Sequence, residues 1–81
     1  MNALSESEQA RVFAGEVDKL IGQFKADGGP DSQQSVDYLI LMRAELLEFA
    51  DNPAEPRLRR GVEEHIKNFI GLAAQAKRRA G

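Results

Sequence analysis

The fold is decided by two short stretches of the chain, DGGP at residues 27–30 and NPAEP at residues 52–56. Paired glycines cost backbone entropy in a helix, and proline lacks an amide donor and restricts the residue before it. Between these breaks the apolar residues recur every three or four positions, which is typical of amphipathic helices. Short connections make neighbouring helices antiparallel. The sequence therefore predicts an all-α, up-down-up three-helix bundle that forms one domain over residues 1–81, with helices at about 5–26, 31–51 and 55–79.

The predicted helices carry start signals at their N-termini. Ser5 and Glu8 fit a capping box, in which the serine hydroxyl and the glutamate carboxylate each accept a hydrogen bond from a free backbone amide of the first turn. Asp31 and Gln34 fit the same pattern, so we expect Asp31 to cap the second helix. The third helix is expected to start within residues 53–57, because a proline at either 53 or 56 suits the first helical position.

The apolar stripes of the helices predict the core. On a wheel of about 100° per residue, the core-facing side of the second helix is an arc of about 160°. Its apolar residues are Val36, Leu39, Ile40, Ala44, Leu46, Leu47 and Ala50. Across the three helices we expect six large side chains to be buried together, namely Leu20, Phe24, Leu39, Leu47, Val62 and Phe69.

The composition describes a small soluble protein held together by packing alone. The chain has 81 residues, 42% of them hydrophobic, and no cysteine, which excludes disulfides, thiolate nucleophiles and cysteine-ligated metal sites. It has no run of about 18 apolar residues, and its acidic N-terminal segment does not fit a secretory signal, so we expect a cytoplasmic protein. A chain this short buries only about 60–65% of its unfolded surface. We therefore expect modest stability, or a bundle that is completed by dimerisation or by another partner.

Charge is distributed unevenly along the chain. Residues 1–56 hold eleven acidic and four basic side chains, a net charge of −7, whereas residues 57–81 hold seven basic and two acidic ones, a net charge of +5. The third helix can neutralise the first two by folding back on them. Its basic clusters, at residues 57–60 and 77–79, can instead bind phosphates. A nucleic-acid-binding regulator that uses the basic third helix is therefore the alternative to a protein-binding function.

Residues that perform catalysis are scarce. The chain has one histidine, one tyrosine and no cysteine, and its serines all lie in the first two segments. His65 has no second histidine four residues away to complete a metal-binding pair, and no glycine-rich phosphate loop is present. We therefore predict no enzyme activity, no catalytic residue, no cofactor and no metal site.

His65 lies at the edge of the apolar face of the third helix, with Lys67 two residues later. A half-exposed helical histidine with a lysine nearby resembles the phosphoacceptor of histidine phosphotransfer bundles. Those domains usually show the order His-x-x-Lys-Gly, which differs by one residue from the order here. The resemblance implies a phosphotransfer module. The other interpretation is a histidine at the boundary of the core with a structural role.

A second apolar strip on the second helix is the candidate binding surface. Tyr38, Met42 and Phe49 fall together about 130–140° from the centre of the core-facing arc. Aromatic residues and methionine are enriched at interfaces, so we predict that these three residues bind a partner chain. The other interpretation is that the first and third helices wrap the second one more deeply. Gly15 and Gly22, opposite the apolar stripe of the first helix, favour the approach of another helix there.

The loop before the third helix carries a resemblance of its own. The segment ADNPAEP at residues 50–56 joins two amphipathic helices and resembles the Asn-Pro-x-x-Pro hairpin loop of type III secretion needle subunits. The small helical co-chaperones of those needles are similar in size. This resemblance implies a helical protein associated with type III secretion.

These observations favour a small, non-enzymatic, helical interaction module that serves as an adaptor, a chaperone or a regulatory subunit. We expect its partner to be another protein chain or a second copy of itself, bound through Tyr38, Met42 and Phe49. Salt separates this function from nucleic-acid binding. Binding to phosphates weakens steeply between about 50 and 200 mM salt, whereas an apolar interface is nearly indifferent to it.

Overall fold

Three helices account for nearly all of the chain in the computed structural model, which describes the backbone of residues 4–80 and the side chains of residues 4–78. They are α1 (Glu6–Asp27), α2 (Ser32–Asp51) and α3 (Pro56–Ala80), and the described residues contain no strand. The predicted all-α three-helix bundle is therefore confirmed. In the described part of the chain, no helix has both the length and the apolar character that crossing a membrane requires.

Helix α1 has the predicted cap at its start and a glycine at its end. The Glu8 amide donates to Ser5 Oγ and the Ser5 amide donates to Glu8 Oε1, both at 3.1 Å, so the capping box is confirmed. At the other end, Gly28 has a φ of 66° and its amide donates to the Phe24 carbonyl at 3.3 Å. Glycine adopts this left-handed conformation without the steric cost that a Cβ brings, and it therefore ends the helix.

Helix α2 starts differently from the prediction. Asp31 makes no side-chain capping bond, so the prediction of an Asp31–Gln34 capping box is wrong. The reason is that the Asp31 backbone is already right-handed helical (φ −86°, ψ −9°), whereas a capping side chain needs an extended backbone to reach the following amides. Instead, the Ser32 hydroxyl donates to Asp27 Oδ2 at 3.0 Å and ties the start of α2 to the end of α1.

Helix α3 begins at Pro56, within the predicted range. The preceding turn is closed by the Glu55 amide, which donates to the Asn52 carbonyl at 3.1 Å. The first helical bond follows at once, from the Arg59 amide to the Glu55 carbonyl at 3.1 Å. Proline suits this first position because its missing amide has no partner there in any helix.

The core lies mainly between α1 and α2, and α3 adds to it from one side. Leu39, Met42 and Leu46 are fully buried, together with Val17 and Phe24 of α1. The cluster that surrounds them consists of Ala14, Leu20, Ile21, Val36 and Ala76. A smaller cluster of Ala10, Phe49 and Ala50 lies toward the α2–α3 loop.

The core-facing side of α2 is rotated from the predicted one by about 75° on the wheel. Leu47 is 44% exposed and Ile40 is 40% exposed, and Ala44 is exposed too, so placing these three in the core was wrong. The buried stripe instead runs through Leu39, Met42, Leu46 and Phe49. The reason is that apolar residues occupy most of the circumference of α2. The side that is buried is therefore decided by where α1 and α3 pack, which is on two adjacent sides of α2.

Helix α3 is covered less completely than the other two helices. Val62 and Phe69 were predicted to be buried but are only partly so. Among the described side chains of α3, only His65 and Ala76 are buried. Helix α3 packs more extensively on α2 than on α1. The consequence is an apolar face that α1 and α2 leave partly open.

Adjacent leucines on α2 test the observed rotation. Leu46→Ala should lower the free energy of unfolding by about 2–5 kcal/mol, because it deletes a fully buried side chain. Leu47→Ala should cost less than about 1 kcal/mol, because nearly half of that side chain is already in water. Urea denaturation followed by circular dichroism measures both. An equal or larger cost for Leu47→Ala would restore the predicted orientation of α2.

Candidate interaction surface

The three residues predicted to bind a partner do not form an exposed strip. Met42 is 0% exposed and Phe49 is 4% exposed, and both belong to the core. Tyr38 is half-buried, with its hydroxyl engaged between α2 and α3. The expectation of an exposed surface here is wrong because α3 lies across this side of α2. While the bundle is closed, Met42 and Phe49 offer almost no surface to another chain.

The concave apolar surface lies instead between α1 and α3, and we call it the α1–α3 groove. One depression in it is lined by Ala10, Phe13, Phe49, Val62 and Ile66. A second depression, toward the C-terminal ends of the same helices, has Leu20, Phe69, Ala73 and Ala76 among its lining residues. Both depressions therefore lie in one groove whose floor is apolar.

An aromatic pair separates the two depressions. The rings of Phe13 and Phe69 meet edge to face, with centroids 4.9 Å apart and an angle of 88° between their planes. These bulky rings hold α1 and α3 apart. The small side chains of Ala10, Ala73 and Ala76 above and below them do not fill the resulting gap. The alternation of large and small residues thus creates the groove.

Two isoleucines of α3 border the groove and remain accessible. Ile66 is 43% exposed and Ile70 is 64% exposed, one helical turn further along the same side. On a helical wheel Ile66 lies in the apolar stripe of α3 with Val62 and Phe69, whereas Ile70 lies beside that stripe. This large apolar residue outside the stripe was the signal in the sequence for an incompletely covered helix.

An ion pair joins α1 and α3 at one end of the groove. Arg59 Nη2 donates to Glu6 Oε1 at 3.1 Å, and Arg59 Nη1 lies 2.5 Å from Glu6 Oε2. The hydrogen bond to Arg59 lowers the pKa of Glu6, and the same bond raises the pKa of Arg59. The Arg59 guanidinium also donates to the Pro53 carbonyl at 3.1 Å and lies 5.8 Å from the centroid of the Phe49 ring. Arg59 therefore positions the start of α3 against α1 and the preceding loop.

A polar network joins α2 and α3 on the other side of α3. His65 Nε2 lies 2.8 Å from Glu45 Oε2, and His65 Nδ1 lies 3.3 Å from Tyr38 Oη. Asn68 Nδ2 donates to the same Tyr38 oxygen at 2.6 Å. A carboxylate only accepts, so the Nε2 nitrogen carries the proton that points to Glu45. In the neutral histidine, Nδ1 then accepts from the Tyr38 hydroxyl, and every member of the network has a partner.

His65 is therefore more enclosed than its predicted position at the edge of the apolar face. It is 7% exposed, and both ring nitrogens are hydrogen-bonded. A phosphoacceptor needs a ring nitrogen that a phosphoryl donor can reach, which this conformation does not provide. The geometry agrees with a structural role, in which the ring fixes how α3 lies on α2.

The described basic side chains of α3 are exposed. Among the described side chains, Arg57, Arg60, Lys77 and Arg78 have no ion pair, and Lys67 lies 4.0 Å from Glu64. The side chain of Arg79, also part of the predicted basic cluster, lies outside the described residues. These cations extend along about 30 Å of helix.

Two further sequence expectations concern Gly15, Gly22 and metal binding. Among the described residues, a Cβ atom at either glycine would meet nothing within 4 Å, so neither helix α2 nor helix α3 packs closely there. Within the described residues, no group of three or more His, Cys, Asp or Glu side chains could hold a metal ion.

Comparison with protein-family models, with curated proteins and with solved structures gave no significant match.

The hydroxyl of Tyr38 provides a test of the polar network. Tyr38→Phe should lower the free energy of unfolding by about 1–3 kcal/mol, because the buried His65 Nδ1 loses its donor. Asn68→Ala is the control. It removes a bond at the exposed edge of the network and should cost about 1 kcal/mol or less. Denaturation curves that rank the two variants in the opposite order would contradict the assigned hydrogen bonds.

The Glu6–Arg59 pair provides a test based on pH. Because the folded pKa of Glu6 lies below its ordinary value of 4.5, the pair stabilises the fold above that pH and loses its effect as the pH falls through the folded pKa. Arg59→Gln should raise the Glu6 pKa toward 4.5. Glu8 is the internal control, because its pKa is lowered by hydrogen bonds with Ser5 and should not change. NMR titration of the carboxyl carbons measures both values, and an unchanged Glu6 would contradict the pairing.

Proposed function

We propose that this chain is a small, cytoplasmic, non-enzymatic interaction module that binds an amphipathic helix of a partner chain in the α1–α3 groove. The observation that carries the proposal is the incomplete cover of α3. Its Val62 and Phe69 are only partly buried, and Ile66 and Ile70 border an apolar groove with large exposed fractions. An adaptor, a chaperone or a regulatory subunit would use such a surface to bind another chain.

The shape of the groove suits a helix as its ligand. Val62 and Ala73 line different depressions and lie eleven residues apart on α3, which corresponds to about 16 Å. A ligand helix would place apolar anchors at i and i+11 in the two depressions. Positions i+4 and i+7 would pack against the Phe13–Phe69 pair between them. This is the spacing by which amphipathic helices dock in hydrophobic grooves.

The energetics also favour a fourth helix. Burying the exposed part of Ile66 and Ile70 gains a fraction of the 1.5–3 kcal/mol that full burial of such a side chain provides, about 1 kcal/mol each. The half-buried edges of Phe13 and Phe69 add to this gain. The protein surface that forms the site already exists in the folded monomer, so little ordering is needed on this side of the interface.

Nucleic-acid binding is the second candidate, and the unpaired cations of α3 favour it. Arg57, Arg60, Lys77 and Arg78 are available for phosphate contacts. Against it, the described part of α3 places no aromatic side chain on the exposed basic face where a base could stack. Of these four cations, Lys77 also lines the α1–α3 groove. Measuring binding at low and high salt separates the two candidates.

A helical peptide tests the proposal. The probe is a labelled amphipathic peptide of about 18 residues with leucines at i, i+4, i+7 and i+11. It should bind with little change between about 50 and 200 mM salt, and it should shift the NMR signals of Phe13, Ile66 and Phe69. Ile66→Glu should abolish binding. The matched control is Leu47→Glu on α2, a site of nearly equal exposure (44% against 43%), which should leave binding intact.

Two results would contradict this function. One is the absence of binding at millimolar peptide. The other is binding that Leu47→Glu abolishes and Ile66→Glu does not. A labelled oligonucleotide serves as the second probe, and affinity for it that falls steeply with salt and depends on Arg57 and Arg60 would favour nucleic-acid binding instead.

A further inference from the structure

We infer that the helix occupying the α1–α3 groove belongs to a second copy of this chain, in a parallel two-fold dimer. This inference rests on the proposed function of the groove. In the dimer the groove faces of the two copies meet, and α3 of each copy lies over α1 of the other. Three observations lead to this occupant: the shape of the face, its charges and its size.

The groove face is complementary to itself. It carries the exposed side chain of Ile66, which lines one of the recesses, and that of Ile70, about one helical turn further along α3. A two-fold axis brings the same patch of both copies together, so each projection meets a recess of the other copy. If the axis runs parallel to the helices, residues at the same level meet. The isoleucines of one copy then enter the groove of the other copy near its Phe13–Phe69 pair.

The charges favour this parallel arrangement over an antiparallel one. The α1 edge of the groove carries Glu6, Glu16 and Lys19, and the α3 edge carries Arg59, Glu63 and Lys77. The α1 edge is therefore net acidic and the α3 edge net basic. The parallel axis brings the acidic edge of one copy against the basic edge of the other, whereas the antiparallel axis brings like edges together.

Two of these groups lie at the same level. Glu16 and Lys77 line the same depression, so the parallel axis brings Lys77 of each copy toward Glu16 of the other. Among the described residues, Lys77 has no ion pair within its own chain. Glu16 is paired only with Lys19 of its own helix, at 3.3 Å and at an exposed position. Lys77 is therefore free to form the contact between copies, and Glu16 can form it by sharing its exposed pair with Lys19.

The face is large enough for a stable dimer. Helix α1 has 22 residues and α3 has 25, so together they present a face roughly 33 Å long and 20 Å wide. When it is treated as flat, this face is about a fifth smaller than the roughly 800 Å² that each partner buries in a standard interface. The relief of the surface adds to this area. A domain of this size also buries a smaller share of its unfolded surface than a larger domain does, and a dimer offsets this weakness.

The oligomeric state of the full chain tests the inference. Sedimentation equilibrium from about 1 to 500 µM should show a mass that rises from 8.9 kDa toward twice that value. Ile70→Glu should raise the dimer dissociation constant about tenfold or more and leave helicity unchanged, because the side chain is 64% exposed in the monomer. Leu47→Glu, at an exposed site away from the groove, should leave the dimer intact.

A charge exchange tests the parallel arrangement. Lys77→Glu should weaken the dimer, and adding Glu16→Lys to it should restore the dimer. A dimer unaffected by Ile70→Glu, a dimer not restored by the double exchange, or association beyond two copies would each overturn the inference. If the chain stays monomeric but binds the amphipathic peptide, the dimer is wrong and the proposed function of the groove stands. If the chain neither dimerises nor binds the peptide, the proposed function is wrong as well.

Discussion

The burial of α2 by both of its neighbours is the constraint on which the rest of the structure depends. Leu39, Met42 and Leu46 lie in the angle between α1 and α3 and are fully enclosed. Once this stripe is buried, α1 is fixed by its long contact with α2, and α3 takes the remaining side. Little apolar surface of α1 and α2 then remains to cover α3. The groove beside α3 is the result of this incomplete cover.

The sequence predicted the local features of this fold correctly, because those features depend on neighbouring residues. The capping box of Ser5 and the end of α1 at Gly28 are set by hydrogen bonds within a few positions. The rotation of α2 is different in kind. Apolar residues surround most of that helix, and only the positions of the other helices decide that Met42 is buried and Leu47 is exposed.

The same distinction explains what the sequence reveals about the candidate site. Tyr38, Met42 and Phe49 are residue types that are common at interfaces between chains. Residue type alone cannot tell such an interface from the contact between α2 and α3 within one chain. The groove depends on how far Phe13 and Phe69 hold two helices apart, a distance that no spacing in the sequence encodes. Ile70 was visible as an apolar residue out of pattern. Its meaning required knowing that no helix of the chain covers it.

The uneven cover of α3 also has a consequence for how the chain folds. Helices α1 and α2 share the larger part of the core, so we expect the contacts between them to form first. We then expect α3 to dock last, with the His65 network forming once its register on α2 is correct. In that case the amide hydrogens of α3 should exchange with solvent through smaller openings than those of α1 and α2. The surface offered to a partner would then belong to the least protected unit of the fold.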